Sequence, residues 1–288
     1  MHPAERGRGA LMGIGALPIP ALLTALAILV AWACARFAPG PGPTDGRPRA
    51  ASLVLDAITV GLLAARLAYV LRWWPEYAAA PLSIVTIADG GFDVWIGLPA
   101  ALLFVWWRTR ASLTLRQRAF LALGIGVLVW GIAQAALLWR PNPAATLPEL
   151  ALVSPDARTV ALHSYLGKPT VVNLWASWCP PCRREMPVLA HADATYPEVN
   201  FVLINQGEDV GIVLSYLARE RHTFRHLLLD PGSRAMQALG ARGLPTKLFF
   251  DAKGQLVESH MGELSAARLK DTLQKHFQRQ PTATAPSP

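Results

Sequence analysis

Four long apolar runs crowd the first half of this chain, and no other feature limits its folding so strongly. They cover about residues 11–35, 51–74, 90–107 and 119–139. A helix that crosses a bilayer needs roughly 20 apolar residues, with about 17 as the lower bound. Three of the runs reach that length unaided, and the third does so only if Gly90 and Gly91 belong to it. Buried helices of a large soluble domain are the competing reading, but soluble helices average about 11–12 residues. Trp73, Trp74, Trp106, Trp107 and Trp139 stand at run ends, where an interfacial aromatic belt places such residues. Residues 1–139 are therefore expected to form an all-α transmembrane bundle of about four helices, in contact with the lipid bilayer.

The arginines give the orientation. The loop after the first run carries Arg36, Arg47 and Arg49, and the loop after the third carries Arg108, Arg110, Arg116 and Arg118. The loop between them offers only Arg72 at its edge, and the segment after the fourth run begins with a single Arg140. Positive loops stay in the cytoplasm, so the N-terminus, the second loop and everything after Arg140 are expected on the outer side of the membrane. Arg6 and Arg8 pull the other way. A cleaved signal with Cys34 as a lipid-bearing cysteine fits poorly, because Trp32 is bulky and the run exceeds a signal core of about 7–15 residues. Cys34 reads as a small apolar helix residue. Asp56 and Arg66 lie inside the second run, where ionisable groups are costly and often functional. Alternatively, Asp56 lies near one end of the span and Arg66 snorkels to the other face.

Composition removes several classes. With 52% hydrophobic residues the chain can bury ample core, which excludes disorder over most of its length. Three cysteines exclude a disulfide-stapled scaffold. The net charge of +8 comes largely from arginines at the ends of apolar runs, a topology signal and not a nucleic-acid patch.

In the second run and beyond, Ala65-Arg66-Leu67-Ala68-Tyr69-Val70, then Pro81 and Gly90-Gly91-Phe92, faintly resemble prolipoprotein diacylglyceryl transferase. Aligned on Gly90-Gly91, that family's catalytic His falls on Trp95, and its later Gly-Arg-x-x-Asn signature has no counterpart. The resemblance implies a degenerate relative serving as an anchor or for binding. Lipid-modifying activity, with the second half of the chain as an accessory domain, is the weaker alternative.

Residues 140–157 contain Pro141, Pro143, Pro148 and Pro155 and read as a semi-rigid linker. From 158 to 279 the pattern becomes α/β. Thr170–Trp175, Asn200–Ile204, Leu227–Leu229, Lys247–Phe250 and Gln255–Ser259 read as strands, with helices over Arg183–Ala194, Asp209–Arg219 and Leu264–Phe277. Residues 280–288 form a low-complexity tail expected to be disordered.

Cys179-Pro180-Pro181-Cys182 follows the first of these strands and opens a helix. Exchange chemistry needs that placement. Unpaired N–H groups and the helix dipole stabilise a thiolate at Cys179, and Cys182, one turn later, can resolve a mixed disulfide by internal attack. Half of a zinc site is the competing reading, but it needs two more ligands. This half has no other cysteine, and His163, His191, His222, His226, His260 and His276 are dispersed. No metal and no cofactor beyond the dithiol are expected. A structural disulfide is the third reading; so short a loop at a helix start favours an exchangeable bond. A thiol peroxidase would need a lone cysteine in a Pro-x-x-x-Thr-x-x-Cys setting, which is absent here.

Val172-Asn173-Leu174-Trp175-Ala176-Ser177-Trp178-Cys179-Pro180-Pro181-Cys182-Arg183-Arg184-Glu185-Met186-Pro187 resembles the active-site segment of the TlpA/ResA group of thioredoxin-like oxidoreductases. Gly243-Leu244-Pro245-Thr246, with Phe249-Phe250-Asp251 and Gly254, resembles that group's cis-proline segment. The resemblance covers roughly residues 146–278. It implies a four- or five-stranded sheet flanked by helices, a redox-active Cys179–Cys182 disulfide, Cys179 as nucleophile and Cys182 as resolving thiol. It also implies a cis Pro245 facing the dithiol, with Trp178, Pro180 and Leu244 on the substrate side. Thioredoxin carries a buried Asp where this chain has Asn173, so Glu185 becomes a candidate for proton transfer. The bland reading of Glu185 is a solvated charge beside Arg183 and Arg184. Lys247, where the group more often has a small or β-branched residue, adds charge near the thiols or points to water. The expected function is reduction of periplasmic protein disulfides, for example in cytochrome c maturation, with dithiol oxidation as the alternative. Since Cys34 is the only other cysteine, electrons are expected from a separate membrane thiol reductase.

Overall fold

The structure is a computed structural model, and it describes residues 19–37, 46–85, 89–138 and 146–277. The expected tail at 280–288 and the start of the first apolar run lie outside them. The chain divides into two compact units, Met1–Ile58 with Leu103–Trp139, and Thr59–Leu102 with Arg140–Pro288.

The N-terminal half is helical: α1 Ile19–Phe37, α2 Gly46–Arg72, the short α3 Trp74–Ala79, α4 Val94–Arg108 and α5 Leu113–Leu138. Stretches of α2 and α5, Ala50–Arg72 and Leu113–Ala136, are long and apolar enough to cross a membrane. The apolar parts of α1 and α4, Leu22–Phe37 and Val94–Arg108, are shorter. Gly90 and Gly91 do not extend the third run into a span. Gly90 adopts φ +70°, a left-handed conformation that ends regular helix for most residues. α5, which corresponds to the fourth apolar run, begins six residues before the expected Ala119 and takes in Arg116 and Arg118.

Within the first unit, α1 and α5 pack through small residues. A Cβ built on Gly126 would lie 2.8 Å from the Ala31 Cβ. In the second unit the same device joins α2 to α4, where a Cβ on Gly97 would meet the Ala65 Cβ at 2.7 Å. Small residues at such contacts let the helix backbones approach closely, which favours van der Waals packing between them.

Arg66 of α2 does not snorkel. Its guanidinium donates to the carbonyls of Ser83, Ile84 and Gly91 and pairs with Asp89 at 3.0 Å. Asp89 also accepts from the Tyr77 and Ser265 hydroxyls at 3.0 and 2.9 Å. The loop before α4 is thus tied by a buried charge whose hydrogen bonds are supplied by carbonyls that would otherwise be unmet. Asp56 lies exposed on α2.

The C-terminal half is an α/β sandwich. Its strands are β1 Ala151–Val153, β2 Thr159–Ala161, β3 Thr170–Trp175, β4 Asn200–Gln206, β5 His226–Asp230, β6 Thr246–Phe250 and β7 Leu256–Met261. Its helices are α6 Pro180–Thr195, α7 Val210–Glu220, α8 Arg234–Ala238 and α9 Ala266–His276. The sheet has seven strands in the order β2-β1-β5-β4-β3-β6-β7, not the four or five expected. The additional pair is β1–β2, which adds antiparallel to β5 through Val153 and Leu229. The linker expected over 140–157 therefore ends inside the sheet, because three-residue strands in a proline-rich stretch carry almost no pattern.

Side-chain alternation sorts the strands onto two cores. Val171, Trp175, Phe201, Leu203 and Phe249 face α6, α7 and α9, whereas Val172, Leu174, Val202, Ile204 and Leu248 face the other layer. All six residues of β3 are buried, as a central strand covered on both faces requires. Asn173 falls between Val171 and Trp175, and Lys247 lies two residues before Phe249. Both polar side chains therefore belong to the α6 face of the sheet.

Candidate active site

β3 delivers the chain to Ala176-Ser177-Trp178, and Cys179 then caps α6 in an extended conformation (φ −87°, ψ 107°). Pro180 and Pro181 occupy the first helical positions, where a missing N–H costs nothing. The Cys182 N–H points at the Cys179 sulfur, 3.4 Å away. The two cysteines form a disulfide with Cα atoms 5.3 Å apart. Cys179 is 4% exposed and Cys182 is fully buried, so a reactant meets Cys179 first.

Beside Cys179 lies an open groove of about 410 Å³, whose walls include Trp178, Pro180, Met236 and Leu244, with Gln206 and Ser233 as its polar members. Trp178 and Pro180 are exposed, Leu244 is half-buried and Pro245 is buried. The Leu244–Pro245 bond is cis. The Pro245 carbonyl accepts from the Gly262 N–H at 2.8 Å. Leu244 makes no backbone hydrogen bond among the described residues. An extended peptide could pair with it as a sheet edge pairs with an added strand.

Two buried carboxylates flank the motif. Glu208, just after β4, accepts from the Ser177 N–H and hydroxyl at 2.6 and 2.5 Å and from the Asn205 amide at 2.6 Å. It pins the loop leading into Cys179. Glu185, one turn beyond Cys182, is 1% exposed. It is not a solvated charge among arginines; Arg184 turns away to Glu263 at 2.7 Å. Lys247 does not point to water either. Its Nζ meets Glu185 Oε2 at 2.6 Å, with both side chains 0% exposed, and also donates to the Gly262 carbonyl. Burial pushes Glu185 up to about 7 even though Lys247 pulls it down, and burial pushes the Lys247 ammonium below its ordinary range. Asn173, Lys247 and His260 line up in register across β3, β6 and β7. Burial, and then the nearby Lys247 charge, lower His260 to about 4. The Asn173 side-chain amide makes no hydrogen bond among the described residues.

Comparison with known proteins gives this arrangement its relatives. A thiol:disulfide interchange protein DsbE of Pseudomonas fluorescens is 31% identical over 144 residues, covering 49% of this chain and 76% of that protein. The chain belongs to this thiol-disulfide oxidoreductase family. Residues 142–273 match the Redoxin family model. The thiol-disulfide oxidoreductase ResA of Halalkalibacterium halodurans is 27% identical over 121 residues, 41% of this chain and 68% of that one. The sporulation thiol-disulfide oxidoreductase A of Bacillus subtilis is 25% identical over 166 residues, 55% and 97% respectively. Residues 11–139 match the prolipoprotein diacylglyceryl transferase model. In that half Trp95 is 88% exposed and brings no acid–base group to the position of the transferase family's histidine.

This thiol-disulfide oxidoreductase thus gathers Trp178, Cys179, Pro180 and Leu244 on one groove, with Cys182 and Glu185 beneath the surface. Sequence reasoning missed Glu208, Gln206, Ser233 and Met236. Glu208 had a usable signal, an acidic residue directly after an apolar strand. The others stand in segments with no distinguishing pattern.

Proposed function

We propose that this oxidoreductase is anchored in a bacterial inner membrane by several spans and reduces disulfides of periplasmic proteins. The observation that carries this reading is the pairing of Cys179, opening onto an uncharged groove beside the unpaired Leu244 backbone, with a fully buried Cys182. Cys179, as thiolate, attacks one sulfur of the substrate disulfide, and the other substrate sulfur leaves with the electron pair and takes up a proton. The Cys182 thiol loses its proton to Glu185 and attacks the Cys179 sulfur, which expels the second substrate thiolate. The dithiol has then lost two electrons, the substrate has gained them, and no cofactor is required. Trp178, Pro180, Leu244 and Pro245 hold the substrate segment. A separate membrane thiol reductase restores the Cys179–Cys182 dithiol. Apocytochrome c is one substrate of the right chemistry, a periplasmic polypeptide whose cysteines must be reduced.

The test is the reduction potential of the full chain in detergent, titrated against glutathione and dithiothreitol. A value near −250 mV, close to thioredoxin at about −270 mV, supports reduction with an upstream donor. A value near about −120 mV, where strong periplasmic oxidants lie, would reverse the direction and make the protein an oxidant.

A further inference from the structure

A buried ammonium is tolerated only when it is paired and hydrogen-bonded, and Lys247 satisfies this in a lopsided way. Its Nζ donates to Glu185 Oε2. The same oxygen accepts the Leu264 N–H at 3.2 Å. Glu185 Oε1, equally buried, makes no hydrogen bond among the described residues. An ion pair serving stability alone gains by engaging both carboxylate oxygens, since a buried acceptor left unmade is penalised. Here both donors converge on one oxygen and the other is kept open. Glu185 lies three residues beyond Cys182 on α6, on the same side of the helix.

We propose that Lys247 is a positioning residue that holds Glu185 by Oε2 and reserves Oε1 to take the proton of Cys182. The inference deepens the reductase reading and rests on it. Without the ammonium, a carboxyl in this desolvated place would keep its proton through neutral pH and could accept none from Cys182. The other charged or titratable groups around the pair are accounted for. Glu263, in the loop after β7, is bound by Arg184 of α6. His260 of β7, the cross-strand neighbour of Lys247, is held neutral by burial. Asn173 of β3 carries no charge. In the step itself, the Cys182 S–H bond breaks and its proton goes to Oε1. The Cys182 thiolate forms the bond to Cys179 Sγ, and the substrate thiolate departs with the electron pair of the broken bond.

The test uses the full chain in detergent, in a Cys34→Ser background, reduced and mixed with 5,5′-dithiobis(2-nitrobenzoate). The first equivalent of coloured thiolate reports attack by Cys179, and the second reports resolution by Cys182. Between about pH 5.5 and 9, the second phase of the parent should rise with a midpoint near Glu185's own range of about 7. In Lys247→Met the midpoint should move up by about one pH or more, slowing the second phase about tenfold relative to the first at pH 7. Glu185→Gln/Lys247→Met, which leaves no unpaired buried charge, should show a slow second phase without the neutral step. A Lys247→Met midpoint unchanged from the parent, with both phases slowed alike, would make Lys247 merely structural and overturn the proposal. A neutral step surviving in the double variant would overturn it too, by removing Glu185 as acceptor. Absence of any first equivalent from the parent would sink the disulfide-exchange reading itself.

Discussion

Replacing Glu208 separates geometry from charge at the redox motif. Its Oε2 accepts from the Ser177 N–H and the Asn205 amide, and its Oε1 accepts from the Ser177 hydroxyl, at 2.5–2.6 Å. Glu208→Ala deletes all three bonds and leaves a backbone N–H and an amide unpaired at a site only 8% exposed. Bonds to an ionised acceptor are worth about 1.5–3 kcal/mol each. Water returns part of that at this edge of the protein, so the local loss should be about 3–5 kcal/mol. Glu208→Gln behaves differently. Its carbonyl can stand at the Oε2 position and keep both N–H donors, while its amide donates to the Ser177 oxygen once the hydroxyl rotates. Only the charge is lost, at about 1 kcal/mol. Hydrogen exchange of the Ser177–Cys179 amides in the full chain measures the local cost, and alkylation of reduced Cys179 measures its reactivity. The Ala variant should exchange faster by about two orders of magnitude or more, and the Gln variant by less than about tenfold. Equal acceleration by Ala and Gln would refute the argument from geometry. Ala exchange within about threefold of the parent would show that Glu208 does not hold the loop.

Four further outcomes follow from the same structure. Glu185→Ala, which strands the Lys247 charge, should cost about 3–5 kcal/mol, whereas Glu185→Leu/Lys247→Met should be near neutral or stabilising; protection of the β3 and β6 amides reads the difference. His260 is neutral in the fold with its value lowered to about 4, so the unfolded chain binds the extra proton and stability is lost as pH falls from about 6.5 towards 4, by at most about 3 kcal/mol. Glu185, raised to about 7, works in the opposite sense over nearly the same range, adding stability as pH falls towards about 4.5. His260→Gln should therefore turn a flat pH–stability curve into one that rises on acidification; a curve unchanged by the substitution would refute this. Cys182→Ser should trap a mixed disulfide between Cys179 and a protein substrate, visible on non-reducing gels and absent in Cys179→Ser. Arg66→Met removes the donor shared by the Ser83, Ile84 and Gly91 carbonyls and should make the segment before α4 open to limited proteolysis, with Lys unable to restore a three-carbonyl fork.

What could be read from the sequence follows the range of each interaction. β3 was legible to the residue because a six-residue run of mostly β-branched and apolar side chains declares a buried strand without help from elsewhere. The dithiol's place at a helix start was legible because cap, prolines and both sulfurs lie within four positions, although α6 begins at Pro180, three residues before the expected Arg183. Glu185 was not. Beside Arg183 and Arg184 it looks solvated, and what buries it is a lysine 62 residues away. Asp89 and Ser265, 176 residues apart, are the same case on a longer scale. β1 and β2 escaped notice for the opposite reason: three residues are too few to show a period, and their strand character comes from β5. Glu208 shows the middle ground, local to β4 in its placing but tied to Ser177 31 residues earlier.

The last helix has a consequence for anyone who wishes to study the redox half in isolation. One face of α9 completes the core with Leu269 and Leu273, and Phe277 beyond it rests on Phe249. Its other side reaches Thr59–Leu102: Ala267 packs among Tyr69, Trp73 and Tyr77, Lys270 pairs with Glu76, and the Ser265 cap bonds Asp89. A fragment starting near residue 146 would keep the fold's inner face and strip its outer one, leaving a bare alanine seat and a lysine without its carboxylate. Such a fragment would present to solvent a surface that the longer chain covers. The smallest faithful specimen of this enzyme is accordingly the chain with its helices attached.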